Sequence, residues 1–207
     1  MADYKEFGWT FENEPGAHKY LYPDILSLLT KEKNKTILDV GCGNGIMVRR
    51  LLNEGYNTYG IDASSQGIEI AKKFVSDRFF VNDVESQKLP VEIEDINFDT
   101  IISTEVIEHL YDPIGYIMFC KSILEKNKKG EIIISTPYHG YFKNLAITFT
   151  GSFDKHVNPL RTGGHIKFWS KDTLSKLLIN AGFKVVKFKG SGRFKFFWKS
   201  MVIKATL

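Results

Sequence analysis

The stretch Thr36-Ile-Leu-Asp-Val-Gly-Cys-Gly-Asn-Gly45 constrains the fold of this chain more than any other. Thr36 to Val40 is a short apolar run of buried-strand type. Glycines at 41, 43 and 45 then break the strand into a loop. Ile46, Met47, Leu51 and Leu52 follow at helical spacing. Strand, glycine turn and helix make the nucleotide-binding corner of an open α/β sheet. Glycine admits backbone angles closed to other residues and lets a ligand approach the main chain. A dinucleotide fingerprint needs its third glycine where Ile46 stands, and the Gly-Lys-Ser/Thr of a phosphate loop is absent. Asp39, just before the turn, would repel a phosphate but can accept bonds from an ammonium. A ligand with an amino-acid tail and no phosphate fits this corner best.

The run Leu38-Asp-Val-Gly-Cys-Gly-Asn-Gly45 resembles the first motif of the class I S-adenosylmethionine-dependent methyltransferases. A glycine turn with a purely structural role is the plain alternative. The resemblance covers roughly residues 36–190. It implies an α/β fold: a doubly wound, seven-stranded, mostly parallel Rossmann-like sheet, with a final hairpin adding an antiparallel strand. It also implies S-adenosyl-L-methionine as cofactor, held by Asp39, Gly41, Gly43, Asp62, Ala63, Asp83, Val84 and Ser103.

Asn57 to Ile61 reads as a second strand ending at Asp62. An acid at that position, about 20 residues past the glycine loop, can accept both ribose hydroxyls. Alternatively, Asp62 only caps a helix over residues 64–75. Asp83 follows a short third strand, Arg78 to Val81. In the resembled family an acid here bonds the adenine amino group and the next residue packs on the ring.

The 207 residues suit a single domain with a sizeable core. No apolar run reaches about 18 residues, so no transmembrane segment is expected. The start lacks the basic-then-apolar pattern of a signal peptide. Cys42 and Cys120 form no metal spacing, which suits reduced thiols in a cytoplasmic protein. A net charge of +4 is too small to imply a nucleic-acid partner. Neither repeats nor low-complexity linkers occur, and oligomeric state is not legible.

Residues 1–33 form an aromatic segment with Phe7, Trp9, Phe11, Tyr20, Leu21 and Tyr22, and a helix expected from Pro23 to Leu29. In the resembled family this segment caps the cofactor pocket, and Trp9, His18 and Tyr20 are candidates to line it. Packing of these aromatics against the sheet explains them equally well. Further strands are expected at Phe98–Ser103 and Ile132–Thr136, around a helix from Pro113 to about Lys126 that buries Ile117, Met118 and Ile123. A turn at Lys128 precedes the fifth strand.

Residues 137–169 are long for a connection and read as a substrate-cap insertion. They carry His139, His156, His165 and the apolar patch Leu145 to Phe149. That patch can admit a hydrophobic acceptor or touch a membrane surface peripherally; packing on the sheet is the alternative. A helix from Ser170 to Gly182 and two strands, Phe183–Lys189 and Phe194–Ala205 around Gly190-Ser-Gly192, complete the chain. The alternating Lys and aromatic residues of these strands look half-buried, and nucleic-acid binding by that stripe is the alternative.

Methyl transfer to a hydroxyl needs alignment, exclusion of water and removal of a proton. Glu105-x-x-Glu108-His109 lies at the carboxyl end of the fourth strand, where ligands of open sheets bind. As a helical turn it would put all three side chains on one face. With His165-x-x-x-Trp169-Ser170 it resembles the small-RNA 3′-terminal 2′-O-methyltransferases, which hold Mg²⁺ with two Glu and two His. It also resembles the ubiquinone-biosynthesis O-methyltransferases. The RNA enzymes are expected to carry further RNA-binding parts for which this chain has no room. Glu105, Glu108, His109 and His165 are therefore candidate ligands for Mg²⁺ or Mn²⁺. His109 and His165 are alternatively catalytic bases without a metal, and a structural role for all four remains open. The expected function is methylation of a small-molecule acceptor, at oxygen. The alternatives are 2′-O-methylation of an RNA terminus and cofactor binding without transfer.

Overall fold

A computed structural model describes residue 9 and residues 16–30, 35–127, 129–157, 159–160 and 163–207. Phe7 and Phe11 of the expected cap, Lys128 of the expected turn, and residues 158, 161 and 162 of the insertion lie outside the described residues.

The strands are β1 (Thr36–Val40), β2 (Asn57–Asp62), β3 (Phe79–Val81), β4 (Thr100–Thr104), β5 (Glu131–Pro137), β6 (Lys184–Ser191) and β7 (Ser200–Thr206). They form one sheet in the order β3-β2-β1-β4-β5-β7-β6. The pairs among β1 to β5 are parallel; β7 runs antiparallel between β5 and β6. The winding direction reverses between β1 and β4, so a crevice opens beyond the carboxyl ends of those two strands. The expected doubly wound, seven-stranded sheet is the fold.

Helices cover both faces: α1 (His18–Leu28), α2 (Ile46–Asn53), α3 (Ser65–Lys72), α4 (Pro113–Glu125), α5 (Tyr141–Phe149), α6 (Asp154–Val157) and α7 (Lys171–Asn180). Successive strand residues point to opposite faces. Ile37, Ile102 and Ile133 join Leu21 and Ile25 of α1 and Met47 and Leu51 of α2. Leu38, Ile101, Ile132 and Ile134 join Ile117 of α4 and Leu174 and Leu178 of α7. Central parallel strands buried on both faces are rich in apolar residues, which accounts for the consecutive Ile37-Leu38, Ile101-Ile102 and Ile132-Ile133-Ile134. Among the described residues, no helix is long and apolar enough to cross a membrane.

Four local expectations are corrected. Helix α1 begins at His18, ahead of Pro23, which sits inside it. Proline removes one backbone bond there, but Leu21, Ile25 and Leu28 are buried and hold the helix on the sheet. Met118 is 44% exposed while Ile117 is buried, because one helical step rotates it off the core face. Helix α3 ends at Lys72 rather than at Val75. In the final hairpin, β6 runs through Gly190 to Ser191, and residues 192–199 form the connection. Phe196 has φ 69°, which breaks an extended strand. Its ring meets Phe142 and Trp198 instead of a neighbouring strand. A Cβ on Gly190 would overlap the Trp198 ring, so glycine is what lets that indole lie on the strand.

Candidate functional site

The glycine loop after β1 is tied to β2. Gly41 and Cys42 donate backbone bonds to the Ile61 carbonyl at 2.8 and 3.0 Å. Gly41 and Gly43 have φ of 83° and 54°, the left-handed region that favours glycine. A Cβ would overlap Val106 at the first position and the Trp9 ring at the second. The Trp9 ring thus closes over the loop, between Gly43 and Gly67.

Asp62 braces this corner. One carboxylate oxygen accepts the Gly43 amide and the other the Ser64 amide, both at 2.8 Å. The cap of α3 is Ser64, whose Oγ accepts the Gly67 amide at 2.9 Å. Asp39 is 1% exposed, and its Oδ1 has no hydrogen-bond partner among the described residues. Burial foremost, and the charge of Asp62 second, push its pKa up to about 8. A buried acceptor without a donor is costly. An ammonium arriving under the glycine loop would supply that donor, so the corner fits a cofactor with an amino-acid tail.

Ala63 is half-buried beside Asp62. Asp83 and Val84 lie where β3 passes into a short 3-10 turn. Val84 lines a cleft of about 300 Å³ with Leu110, Tyr111 and Tyr116. Ser103 is fully buried and accepts the Tyr116 hydroxyl at 2.7 Å, so its side chain supports β4 beneath the crevice. His18 is half-buried on α1. Desolvation and then the Arg50 charge lower its pKa to about 4, keeping it neutral.

Glu105 and Glu108 do not share the expected helical face. Glu105 has φ 56°, and its amide donates to the Ser135 carbonyl at 3.2 Å. The 3-10 turn covers only Ile107–His109. The left-handed residue redirects the chain, so Glu105 points along the sheet. Ser135 Oγ donates to its Oε1 at 2.9 Å and Ser200 Oγ to its Oε2 at 3.1 Å. Glu108 is buried; Thr136 Oγ1 donates to its Oε2 at 3.0 Å. Its Oε1 has no hydrogen-bond partner among the described residues and lies 3.9 Å from His109 Nε2. Burial foremost raises the pKa of both carboxyls, and the charge of Glu105 adds to the rise at Glu108.

His109 Nδ1 lies 2.7 Å from the Gly163 carbonyl. A carbonyl only accepts, so Nδ1 carries the proton and Nε2 keeps its lone pair in the neutral ring. His165 stands beside it with ring centroids 5.0 Å apart. The cap returns here because the amides of Ile166 and Lys167 both donate to the Glu108 carbonyl at 3.0 Å. Ligand atoms of Glu108, His109 and His165 lie within 4.8 Å of one another, without Glu105. Two imidazoles and one carboxylate can hold a divalent ion, with nitrogen-rich donors that suit Zn²⁺, Fe²⁺ or Mn²⁺ better than Mg²⁺. The unpartnered Glu108 oxygen fits such an ion.

Sequence reading missed the basic residues beside this cluster. Lys143, Arg193 and Lys199 line a cavity that also contains His165. They come from α5 and from the connection between β6 and β7, and no local spacing links them.

The sequence profile of a family described as a methyltransferase domain matches residues 16–187. A ubiquinone biosynthesis O-methyltransferase of Dinoroseobacter shibae is 30% identical over 163 residues, 76% of this chain and 63% of that protein. The mitochondrial ubiquinone biosynthesis O-methyltransferase of Schizosaccharomyces pombe is 30% identical over 168 residues, 75% of this chain and 58% of that one. The matched region thus spans about three-fifths of these relatives' length. Among solved structures, magnesium protoporphyrin IX methyltransferase of Synechocystis with bound SAH shares the fold at a TM-score of 0.67 and 18% identity, covering 90% of this chain and 81% of that one. An S-adenosylmethionine-dependent methyltransferase of Mesorhizobium loti does so at 0.69 and 15% identity, covering 89% and 96%.

Proposed function

The chain belongs to the methyltransferase-domain family, and on that premise we propose that it is an S-adenosylmethionine-dependent enzyme methylating an oxygen of a small-molecule acceptor. One observation carries this reading. One carboxylate oxygen of Asp39, the penultimate residue of β1, has no hydrogen-bond partner among the described residues, and Glu108 and His109, which His165 joins, follow β4, the strand beside it. A cofactor tail and an acceptor hydroxyl would then meet across one crevice.

In this reading Asp39 takes the ammonium of the cofactor tail. The amides of the glycine loop face its carboxylate. Asp62 and Ala63 would hold the ribose, and Asp83 and Val84 the adenine. Ser103 and Tyr116 keep the floor of the crevice rigid. Trp9 excludes water over the loop. When bound, the cofactor would supply an electrophilic sulfonium methyl group for transfer to the acceptor oxygen. His109 Nε2 takes the hydroxyl proton, with its ring oriented by the Gly163 carbonyl. A divalent ion at Glu108, His109 and His165 would serve the same end by lowering the hydroxyl pKa. Chelation separates the two: loss in EDTA restored by Mn²⁺ or Zn²⁺ supports the ion, whereas full activity in EDTA with loss in His109→Ala supports the base.

The wider reading goes with this one. Residues 1–207 are taken as one domain because a single sheet draws strands from Thr36 to Thr206. The buried, free Cys42 and Cys120 suit a cytoplasmic location. On α5, Phe149 is 85% exposed and Leu145 and Phe142 are also exposed. These side chains support peripheral contact with a lipid surface, which would be refuted by absence of the protein from the lipid fraction in liposome flotation. The central test is calorimetric titration with S-adenosylmethionine, followed by transfer of labelled methyl to a panel of phenols and catechols. Failure to bind the cofactor would overturn the reading.

A further inference from the structure

Next to the histidine cluster lies a cavity of about 250 Å³. Four of its nine lining residues are Lys143, Lys155, Arg193 and Lys199, three are histidines, and none is an acid. The cations come from three separate elements, α5, α6 and the β6–β7 connection. His165 is common to this cavity and to the cluster with His109. Trp198 adds an indole face, held by edge contacts with Tyr138 and Phe188. Net charge over the whole chain is only +4, so this is a local concentration rather than a general excess.

Lys143 defines the site. It is buried on α5, and its ammonium donates to the Lys199 carbonyl at 2.9 Å. Burial chiefly lowers its pKa to about 8; the buried Glu105 works against that shift and Arg193 with it. A desolvated cation facing other cations gains from an anion that completes the site. The volume is below that of most drug-sized ligand pockets and suits a ring with one charged substituent.

We propose that this cavity is the anion subsite of the acceptor: it receives a carboxylate or phosphate group of the substrate while the substrate hydroxyl lies at His109 and His165. Lys143 and Arg193 hold the charge, Lys155 closes from α6, and Trp198 flanks the ring. The proposal rests on the methyltransferase reading for the identity of the occupant, but the anion site itself can be tested without turnover.

Full-length protein saturated with S-adenosylmethionine is titrated with benzoate, with inorganic phosphate and with uncharged benzamide, following the histidine resonances. Benzoate or phosphate should bind in competition with the other, and benzamide at least tenfold more weakly. The tighter of the two anions identifies carboxylate or phosphate as the natural group. Arg193→Gln and Lys155→Gln, both at exposed positions that leave folding intact, should each weaken the anion about tenfold, the scale of one lost charge-assisted contact, while cofactor affinity stays the same. Equal binding of benzamide and benzoate, or anion binding indifferent to both substitutions, would overturn the subsite. Anion binding lost in the variants of a protein that transfers no methyl group would instead sustain the subsite and overturn the enzymatic reading.

Discussion

Asp39 should make cofactor affinity depend on pH, and the size of the effect follows from its burial. Its carboxyl is held near pKa 8 in the unliganded protein, against 3.8 for the free side chain. An ammonium is bound by the ionised form. At pH 6 only about one molecule in a hundred would be ready, so apparent affinity should rise about tenfold per pH unit from 6 toward 8. It should flatten above about pH 8, where the cofactor's own α-amino group begins to lose its proton. Binding at pH 6.5 should release about one proton, visible in calorimetry as a difference between phosphate and Tris buffers. Asp39→Asn keeps the shape and cannot ionise. At pH 8 it should bind about 10- to 100-fold more weakly, the worth of about 1.5–3 kcal/mol for a charged hydrogen bond. Near pH 6 it should match wild type, because Asp39 is then protonated too. Stability without ligand has the opposite sign. A raised carboxyl pKa means the native state holds a proton that the unfolded chain has lost. Stability is therefore full below about pH 4 and falls as pH rises through 8. Asp39→Asn should melt higher than wild type at pH 8, with the gap closing as pH falls. Flat wild-type affinity from pH 6 to 8, or an equal slope in the Asn variant, would refute the role given to Asp39.

Glu108→Gln should raise the melting temperature at pH 8 for the same reason, since burial and Glu105 raise the Glu108 pKa; it should also abolish any Mn²⁺ or Zn²⁺ binding seen by titration calorimetry. Ile25→Ala on α1 removes a fully buried side chain and should cost about 2–5 kcal/mol in urea unfolding; no loss would mean that α1 is not anchored on the sheet. Gly45→Ala adds a Cβ 2.6 Å from the Phe79 ring at φ 76°, a left-handed position that costs other residues about 1–2 kcal/mol before any clash, so both stability and cofactor affinity should fall.

Much of the fold was legible because its causes are local. The apolar runs of β1, β4 and β5 signal strands buried on both faces. Loop glycines 41, 43 and 45 proved to have positive φ, a need that one residue type announces by itself. Ser170 and Thr173 close a capping box at the start of α7, close to where the sequence places it. The position of Asp62 after β2 was equally readable, although its two bonds to backbone amides were not.

Other features waited for the tertiary structure because they depend on distant backbone or on a single torsion angle. Spacing alone put Glu105 and Glu108 on one helical face; a left-handed backbone at Glu105 takes it off that face and delivers its carboxylate to Ser135 and Ser200, outside the ligand cluster. Met118 needed only one helical step to leave the core. His165 reaches His109 because the amides of Ile166 and Lys167 dock on the Glu108 carbonyl, and a backbone contact leaves no mark on residue type. The basic cavity draws Lys143, Lys155 and Arg193 from three elements far apart in the chain. Sequence alone determined the individual strands and the glycine corner, since those follow from hydrophobic period and backbone permission within a few residues, whereas the order of the seven strands was expected only from the family resemblance. Tertiary folding decided which charges face one another, since electrostatic neighbours are set by distance in space and not by order along the chain.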